Sequence, residues 1–315
     1  IIGFGGLPGP AFEKGPVGGG YDGFGVLWEA PDSGAGAVIP SNETFLLDDI
    51  TKWRDVVKFP DLEAQDWDEI ARIEWAGAES TGGYDPKKKI LDFGFGNGVF
   101  ERLVALMGFE ETLVALYEEP EECAAFFDAL TDWKIAYLDK VKAIFNPDVA
   151  TYYDDICTQN NPFMAPDVYR ELIKPYHKRF AQACVERGIA PIYHCCGHAE
   201  MLIEDFIDCG WAAWSSVQPC NDIVSLCRKY GDRICIIGGY DTTGKPGWPD
   251  ATDKIKKAEV RRCFREYGHL SGYLFLGFYV TKTQDPGENM KNMMNMIVES
   301  VVQSMVPRRK ERRPA

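Results

Sequence analysis

The sequence has no long apolar segment and an excess of negative charge. No apolar run approaches the roughly 18 residues that a membrane-spanning helix needs, so a membrane protein is not expected. Lys and Arg number 34 against 48 Asp and Glu, which gives a formal net charge of −14. Such a surface repels phosphate backbones and anionic lipid headgroups, so function in nucleic-acid binding or at a membrane surface is not expected either.

The ten cysteines are scattered over a long chain, and no signal peptide is visible. A disulfide framework is typical of small secreted proteins, so we predict reduced thiols and a cytoplasmic location instead. The first residue is Ile1 rather than Met, which leaves open a native N-terminus further upstream.

One stretch, 189–197, concentrates reactive side chains. It reads Ile-Ala-Pro-Ile-Tyr-His-Cys-Cys-Gly, a short apolar run followed by an imidazole and two thiols. Side chains alternate along a strand, so His194 and Cys196 would share one face while Cys195 takes the other. An imidazole and a thiolate at this spacing can bind zinc without backbone strain, and Gly197 permits a turn beside them. The alternative is that both thiols are small core residues and the imidazole is a buried, hydrogen-bonded histidine.

The remainder of the chain alternates strand-like and helix-like segments. Short runs rich in apolar, aromatic or β-branched residues predict strands over 149–155, 189–193, 211–217, 234–237 and 273–279. Apolar spacing of three and four predicts helices over 100–145, 166–185, 199–208, 223–229, 255–267 and 286–305. Within the first of these ranges, Pro120 followed by Glu121 and Glu122 predicts the start of a helix. At least five strand–helix units with short links imply parallel strands joined by right-handed crossovers.

Polar or reactive residues recur just after the predicted strands: Asp154, His194, Gln218, Asp241 and Thr281. In a (β/α)8 barrel the active site lies at the carboxyl ends of the strands, so these side chains would meet in one pocket. We therefore predict the α/β class and a single-domain (β/α)8 TIM barrel. Residues 1–85 would form an N-terminal segment of loops and helices packed on the barrel, beginning with irregular Gly/Pro-rich structure over 1–45 that contains one strand-like piece, Phe24 to Trp28. Residues 86–306 would form the main part of the barrel, and 307–315 a basic C-terminal tail.

Several motifs carry a family resemblance. Tyr-Asp-Asp-Ile-Cys-Thr-Gln at 153–159, His-Cys-Cys-Gly at 194–197 and Gly-Gly-Tyr-Asp at 238–241 resemble, in order and spacing, the uroporphyrinogen decarboxylase superfamily. So do Pro166, Arg170, Pro175-Tyr176, Lys178-Arg179 and Gln218-Pro219. The likeness runs from Met107 to Asn289. The superfamily contains porphyrinogen decarboxylases and corrinoid-dependent methyltransferases, all on (β/α)8 barrels, so the fold does not choose between them.

Two features favour the methyltransferase branch. The resemblance implies a zinc motif, His-x-Cys-Gly, which maps onto His194, Cys196 and Gly197, whereas the decarboxylases need no metal. The chain also lacks the Arg-Gln-Ala-Gly-Arg segment by which decarboxylases hold substrate carboxylates near their N-terminus. Thiol-methylating members take a third zinc ligand from a cysteine after the last glycine-containing strand, but no cysteine stands at 276–281. The third ligand is left open among Tyr279, Asp241, Cys195 and the substrate, as is the absence of zinc.

The resemblance implies a zinc-assisted methyltransferase of anaerobic metabolism, an O-demethylase-type component. It would move a methyl group between a small methoxy- or methylamine-type substrate and a corrinoid, cobalamin, carried by a partner protein. Zinc on His194 and Cys196 would polarise the heteroatom that carries the methyl group, and Asp154 or Asp155 would act as general acid. Because adjacent strand residues face opposite sides, only one of the two acids can enter the pocket. The resemblance assigns Asp154 to the pocket and Asp155 to a structural role.

Side chains near the predicted strand ends are the candidate substrate contacts. They are Tyr152, Gln159, Trp214, Gln218, Tyr240, Asp241, Phe278 and Tyr279. The aromatic members are alternatively plain core residues. Three further possibilities are left open: a decarboxylase-like carboxy-lyase, a non-catalytic barrel of the same superfamily, and a homo-oligomer.

Overall fold

A computed structural model describes residues 3–7, 9–16, 18–30, 38–80, 84–277, 296 and 298–305. The strands are β1 (Gly3–Leu7), β2 (Gly20–Tyr21), β3 (Leu27–Glu29), β4 (Ile39–Pro40), β5 (Lys89–Phe95), β6 (Val149–Tyr153), β7 (Ala190–His194), β8 (Ala213–Val217), β9 (Cys235–Gly239) and β10 (Tyr273–Leu276). The α-helices are α1 (Ala11–Lys14), α2 (Trp53–Val56), α3 (Trp67–Ser80), α4 (Val99–Met107), α5 (Phe109–Glu118), α6 (Pro120–Ile144), α7 (Pro166–Val168), α8 (Lys174–Glu186), α9 (Ile203–Cys209), α10 (Ile223–Tyr230) and α11 (Asp253–Glu266). A π-helical turn, Tyr169–Ile173, connects α7 to α8, and residues 298–305 are helical.

A seven-stranded sheet dominates the fold, in the order β1-β5-β6-β7-β8-β9-β10, and every neighbouring pair is parallel. The predicted α/β class is confirmed. The strands of this sheet follow one another in chain order. With right-handed crossovers, that order places all the connecting helices on one face, as in a barrel and unlike a doubly wound sheet. The predicted closed eight-stranded barrel is seen only in part, because the described ranges contain seven parallel strands and no pairing of β10 with β1.

The strand β1 corrects the prediction of irregular structure over 1–45. Its sequence, Gly-Phe-Gly-Gly-Leu, is rich in glycine, which is depleted in strands, so the local signal was wrong. Pairing makes the strand: Gly3 to Leu7 lie in register with Lys89 to Phe93 of β5. A three-stranded antiparallel sheet, β2-β3-β4, follows it, and the predicted strand at Phe24 to Trp28 begins only at Leu27. The division into 1–85, 86–306 and 307–315 stays a prediction.

Two buried ion pairs attach the N-terminal region to the helices that follow β5. Asp22 pairs with Arg102 of α4, and Glu13 pairs with Lys134 of α6 at 2.7 Å. All four side chains are almost completely buried. Because a buried charge that loses its partner is strongly destabilising, these pairs hold the N-terminal region against α4 and α6.

The two faces of the sheet differ in what covers them. Side chains such as Phe93, Tyr152, Tyr193 and Trp214 pack with the helices in the main hydrophobic core. On the opposite face, here called the inner face, Val149, Ile192, Ala213 and Ile237 form a separate small cluster. Further along the strands the inner face becomes polar, and its side chains there are Asp92, Thr151, Tyr153, His194 and Ser215. No helix in the described part of the chain has the length and apolarity needed to cross a membrane.

Candidate metal centre

Three side chains converge at the carboxyl ends of β6 and β7. Asp155, His194 and Cys196 each offer one ligand atom, and these atoms lie within 4.8 Å of one another. The Cys196 Sγ lies 3.7 Å from the His194 Nε2, and the Cys196 backbone N–H donates to the Asp155 Oδ1 at 2.7 Å. All three residues are partly exposed. A nitrogen, a sulfur and an oxygen donor at this separation form a set that suits zinc.

Hydrogen bonding and burial prepare His194 as a ligand. Its Nδ1 lies 3.1 Å from the Ser215 hydroxyl oxygen, so with that nitrogen donating, Nε2 is left free to bind a metal. Burial lowers the pKa of His194 and outweighs the opposing effect of the Asp155 charge. The imidazole is therefore neutral at pH 7. The Tyr153 ring packs on it with a centroid separation of 4.5 Å and an interplanar angle of 39°.

A β-bulge brings two consecutive hydroxyls to the site. The pairing of β8 with β9 shifts register between Ser215 and Val217, and Ser216 adopts the left-handed region with φ of 64°. Bulges turn successive side chains to one side, and here the Ser216 hydroxyl lies 3.2 Å from the Cys196 Sγ. Burial, followed by the Asp155 charge, raises the pKa of the Cys196 thiol to about 12. Without a cation this residue is a thiol at pH 7.

The turn after Cys196 requires glycine. Gly197 has φ of 85°, and a Cβ placed there would lie 2.4 Å from the Thr158 carbonyl oxygen. Its N–H donates to the Gln218 Oε1 at 2.8 Å, and its carbonyl accepts from the Asn221 Nδ2 at 2.9 Å. The loop that carries Cys196 is therefore fixed from the neighbouring strand end.

The structure reverses the predicted placement of the two acids. Asp154 is completely buried on the helix side, where its carboxylate accepts N–H bonds from Phe100 at 3.2 Å and Glu101 at 2.8 Å. It also lies 2.7 Å from the His177 Nε2. Asp155 is the acid that lies with His194 and Cys196. Alternation correctly set the two acids on opposite sides, but the assignment of Asp154 to the pocket, which rested on resemblance, was wrong.

A further acid beside the site, Glu101, was not predicted. It lies in the first turn of α4, and its carboxyl accepts a hydrogen bond from the Asp155 backbone N–H. Burial, followed by the charges of Asp155 and Asp154, raises the pKa of Glu101. No local signal marks this residue, because its position depends on how α4 packs against the end of β6.

Three of the predicted aromatic contacts are core residues. The Tyr152 hydroxyl accepts from the Val99 N–H at 3.0 Å, the Trp214 Nε1 donates to the Cys195 carbonyl at 2.9 Å, and the Tyr240 hydroxyl donates to the Pro246 carbonyl at 3.0 Å. All three side chains are buried. The prediction of substrate contacts therefore fails for them, and the alternative of plain core residues holds. Tyr152 and Trp214 occupy the helix-facing side of their strands.

The remaining predicted residues that the structure describes lie outside the group formed by Asp155, His194 and Cys196, here called the triad. Gln159 is exposed, and its Nε2 donates to the Gln218 Oε1 at 2.7 Å, so the two side chains meet above the Gly197 turn.

Asp241 accepts from the Gly244 N–H at 2.7 Å and closes its own turn. The Cys195 Sγ is buried, as the alternation predicted. Phe278, Tyr279 and Thr281 lie outside the described residues. Of the third ligands that were considered, neither Cys195 nor Asp241 joins the triad, whereas Asp155 does.

Two curated proteins match part of this chain in sequence. The chain is 28% identical over 158 residues to the Methylated-thiol--coenzyme M methyltransferase of Methanosarcina mazei, covering 49% of this chain and 39% of that protein. It is 25% identical over 131 residues to the Methylcobamide:CoM methyltransferase MtaA of Methanosarcina barkeri, covering 41% of this chain and 36% of that protein. The matched segments thus span well under half the length of these relatives.

A solved structure and a family model extend the comparison. A methyltransferase from Methanosarcina mazei superposes with a TM-score of 0.59 at 14% identity, covering 84% of this chain and 72% of that chain. At this identity the match shows the fold alone. The family model for uroporphyrinogen decarboxylase (URO-D) matches residues 87–300, most of the chain. The chain belongs to the uroporphyrinogen decarboxylase family.

Proposed function

We propose that this chain is a methyltransferase that binds zinc on Asp155, His194 and Cys196. It would exchange a methyl group between a small methoxy- or methylamine-type substrate and a corrinoid carried by a partner protein. The observation that carries the proposal is the convergence of three ligand atoms within 4.8 Å. The two curated relatives, both named as methyltransferases, support the reaction class.

The donor set fits a catalytic rather than a structural zinc site. Structural sites use four protein ligands, whereas catalytic sites use three and keep a position for substrate. The described residues supply three ligands, and all three are partly exposed, so a small molecule can reach them. When bound, zinc would act as a Lewis acid on the heteroatom that carries or receives the methyl group.

The surrounding residues orient the ligands. The Ser215 hydroxyl orients the His194 imidazole through Nδ1, and the Tyr153 ring restricts its rotation. Asp155 accepts the N–H of Cys196, so one ligand holds the backbone of another. Such supporting contacts are worth 10- to 100-fold in metal affinity in comparable sites. The thiol proton of Cys196 must leave when a metal binds, so metal binding should release a proton.

An anaerobic assay tests the proposal. The purified chain with zinc and cob(I)alamin is given methoxy and methylammonium donors, and methylcobalamin formation is followed by its absorbance. We expect methyl transfer that requires cobalamin, is lost in Cys196→Ala and is retained in the matched variant Cys195→Ala. Release of carbon dioxide from uroporphyrinogen without cobalamin would instead show a decarboxylase. Neither activity, together with no bound metal, would show a non-catalytic barrel.

A further inference from the structure

One acid on the inner face takes no part in the metal centre. Asp92 of β5 has both carboxylate oxygens within hydrogen-bonding distance of the Thr151 hydroxyl, at 2.8 and 2.9 Å, and it also accepts a hydrogen bond from the Thr151 backbone N–H. Among the described residues, no lysine, arginine or histidine forms an ion pair with it. A carboxylate offers about four acceptor positions, so the described residues leave part of the acceptor capacity of Asp92 unused.

Asp92 is accessible from the inner face. Its side chain is only partly buried and keeps part of its surface exposed. Burial raises the pKa of its carboxyl to about 6. The next inner-face residues on β5 and β6, Gly94 and Thr151, carry small side chains.

Tyr153 lies between Asp92 and the proposed metal ligands on the inner face. Thr151 and Tyr153 are two residues apart on the same face of β6, a rise of roughly 7 Å. The Tyr153 ring packs on His194 at 4.5 Å, and burial, followed by the charge of Asp92, raises the pKa of the Tyr153 hydroxyl. A molecule of a few bonds' length would therefore reach from Asp92 to the metal ligands along this ring.

We propose that Asp92 is the subsite for a cationic group, an alkylammonium, of the small molecule that this site binds, with the Tyr153 ring as its wall. The inference rests on the proposed function and narrows the substrate class to ammonium compounds rather than neutral methoxy compounds. A neutral ligand would cover the carboxylate without pairing it, which is costly. An ammonium pairs with it and gains a cation–π contact with the ring. The net charge of −14 also attracts cations.

Calorimetry on the full chain at constant ionic strength tests this inference. Trimethylammonium chloride is the probe, and tert-butanol is a neutral molecule of similar size. We expect trimethylammonium to bind, tert-butanol to bind at least about 10-fold more weakly, and Asp92→Asn to weaken trimethylammonium binding by about 10-fold or more. Asp132→Asn on the exposed side of α6 makes the same change in net charge and should leave binding unaltered. Equal binding of trimethylammonium to Asp92→Asn and to the unmodified chain would overturn the inference.

Zinc content, measured on the same samples, separates this inference from the proposed function. If zinc is absent while trimethylammonium binding depends on Asp92, the methyltransferase proposal fails and the cation subsite stands. If zinc content and methyl transfer are normal while trimethylammonium binding does not change in Asp92→Asn, only the proposal of a cation subsite fails. Circular dichroism shows whether Asp92→Asn folds normally. If it does not, Asp92→Ser is used for the same comparison.

Discussion

The His177 Nε2 lies 2.7 Å from the Asp154 Oδ2, and neither side chain reaches solvent. The same carboxylate accepts the N–H groups of Phe100 and Glu101, so one buried acid joins the end of β6 to α4 and α8. The other imidazole nitrogen lies 3.4 Å from the hydroxyl of Tyr169, which begins the π-helical turn before α8. This pair fixes the chain immediately before Asp155, so it positions one of the proposed metal ligands without belonging to the proposed site.

The first prediction concerns this pair. Asp154→Asn and His177→Gln should each lower the free energy of unfolding by about 1–3 kcal/mol, because each leaves a buried polar group without its partner. The double variant should lose less than the sum, with a coupling energy of about 0.5–3 kcal/mol. Urea denaturation of the four proteins measures the cycle. Strictly additive losses would contradict a direct interaction between the two side chains.

The second prediction follows from the raised pKa of Asp92. Its folded value of about 6 lies above the usual 3.8, so folding favours the protonated form. The native state therefore loses stability as pH rises through about 4 to 6, by up to about 3 kcal/mol. Asp92→Asn removes this loss, and because the side chain is partly exposed we expect a gain of about 1–3 kcal/mol at pH 7.5.

Urea denaturation at two pH values checks this prediction. At pH 4 the carboxyl is largely protonated in the native state, so Asp92→Asn and the unmodified chain should be nearly equally stable there. A variant that is less stable at pH 7.5 would show that Asp92 is an ordinary structural residue. A higher free energy of unfolding for Asp92→Asn at pH 7.5 would show that the Asp92 charge destabilises the native state. Charges at functional sites often have this effect.

The third prediction concerns the amide that holds the Gly197 turn. Gln218 is buried, and its Oε1 accepts from the Gly197 N–H, whereas its neighbour Gln159 is exposed. Gln218→Ala should weaken zinc binding by about 10-fold, since it releases the loop that carries Cys196. Gln159→Ala, which removes a contact to the same oxygen, should change it little. Competition with a chromophoric chelator measures both affinities, and equal effects would contradict a positioning role for Gln218.

The sequence predicted the elements with strong local signals and missed those that depend on pairing. The helix α6 begins at Pro120 with Glu121 and Glu122 in its first turn, as the sequence indicated, because these residues suit a helix N-terminus. The strand β7 and its alternation were also predicted, and with them the shared face of His194 and Cys196. Glycine-rich β1 was missed, since only its pairing with β5 makes it a strand.

The sequence predicted only the part of the candidate site that lies on a single strand and the turn after it. His194 and Cys196 lie two residues apart, so strand geometry alone brings them together. Asp155 joins them from a different strand, and the choice between it and Asp154 depends on which side of β6 the helices cover. Glu101 depends on the packing of α4, and Tyr152 and Trp214 face the helices rather than the site. Side-chain type at a strand end does not tell which face a residue occupies.

Metal content measured on the purified chain and four variants tests the central claim most directly. Protein prepared without chelators should contain about one zinc per chain. Zinc should fall sharply in His194→Ala, Cys196→Ala and Asp155→Ala, and it should stay near the unmodified value in Cys195→Ala, whose thiol is buried away from the triad. Equal zinc in all four variants, or full zinc in Asp155→Ala with loss in Cys195→Ala, would contradict the proposed metal centre.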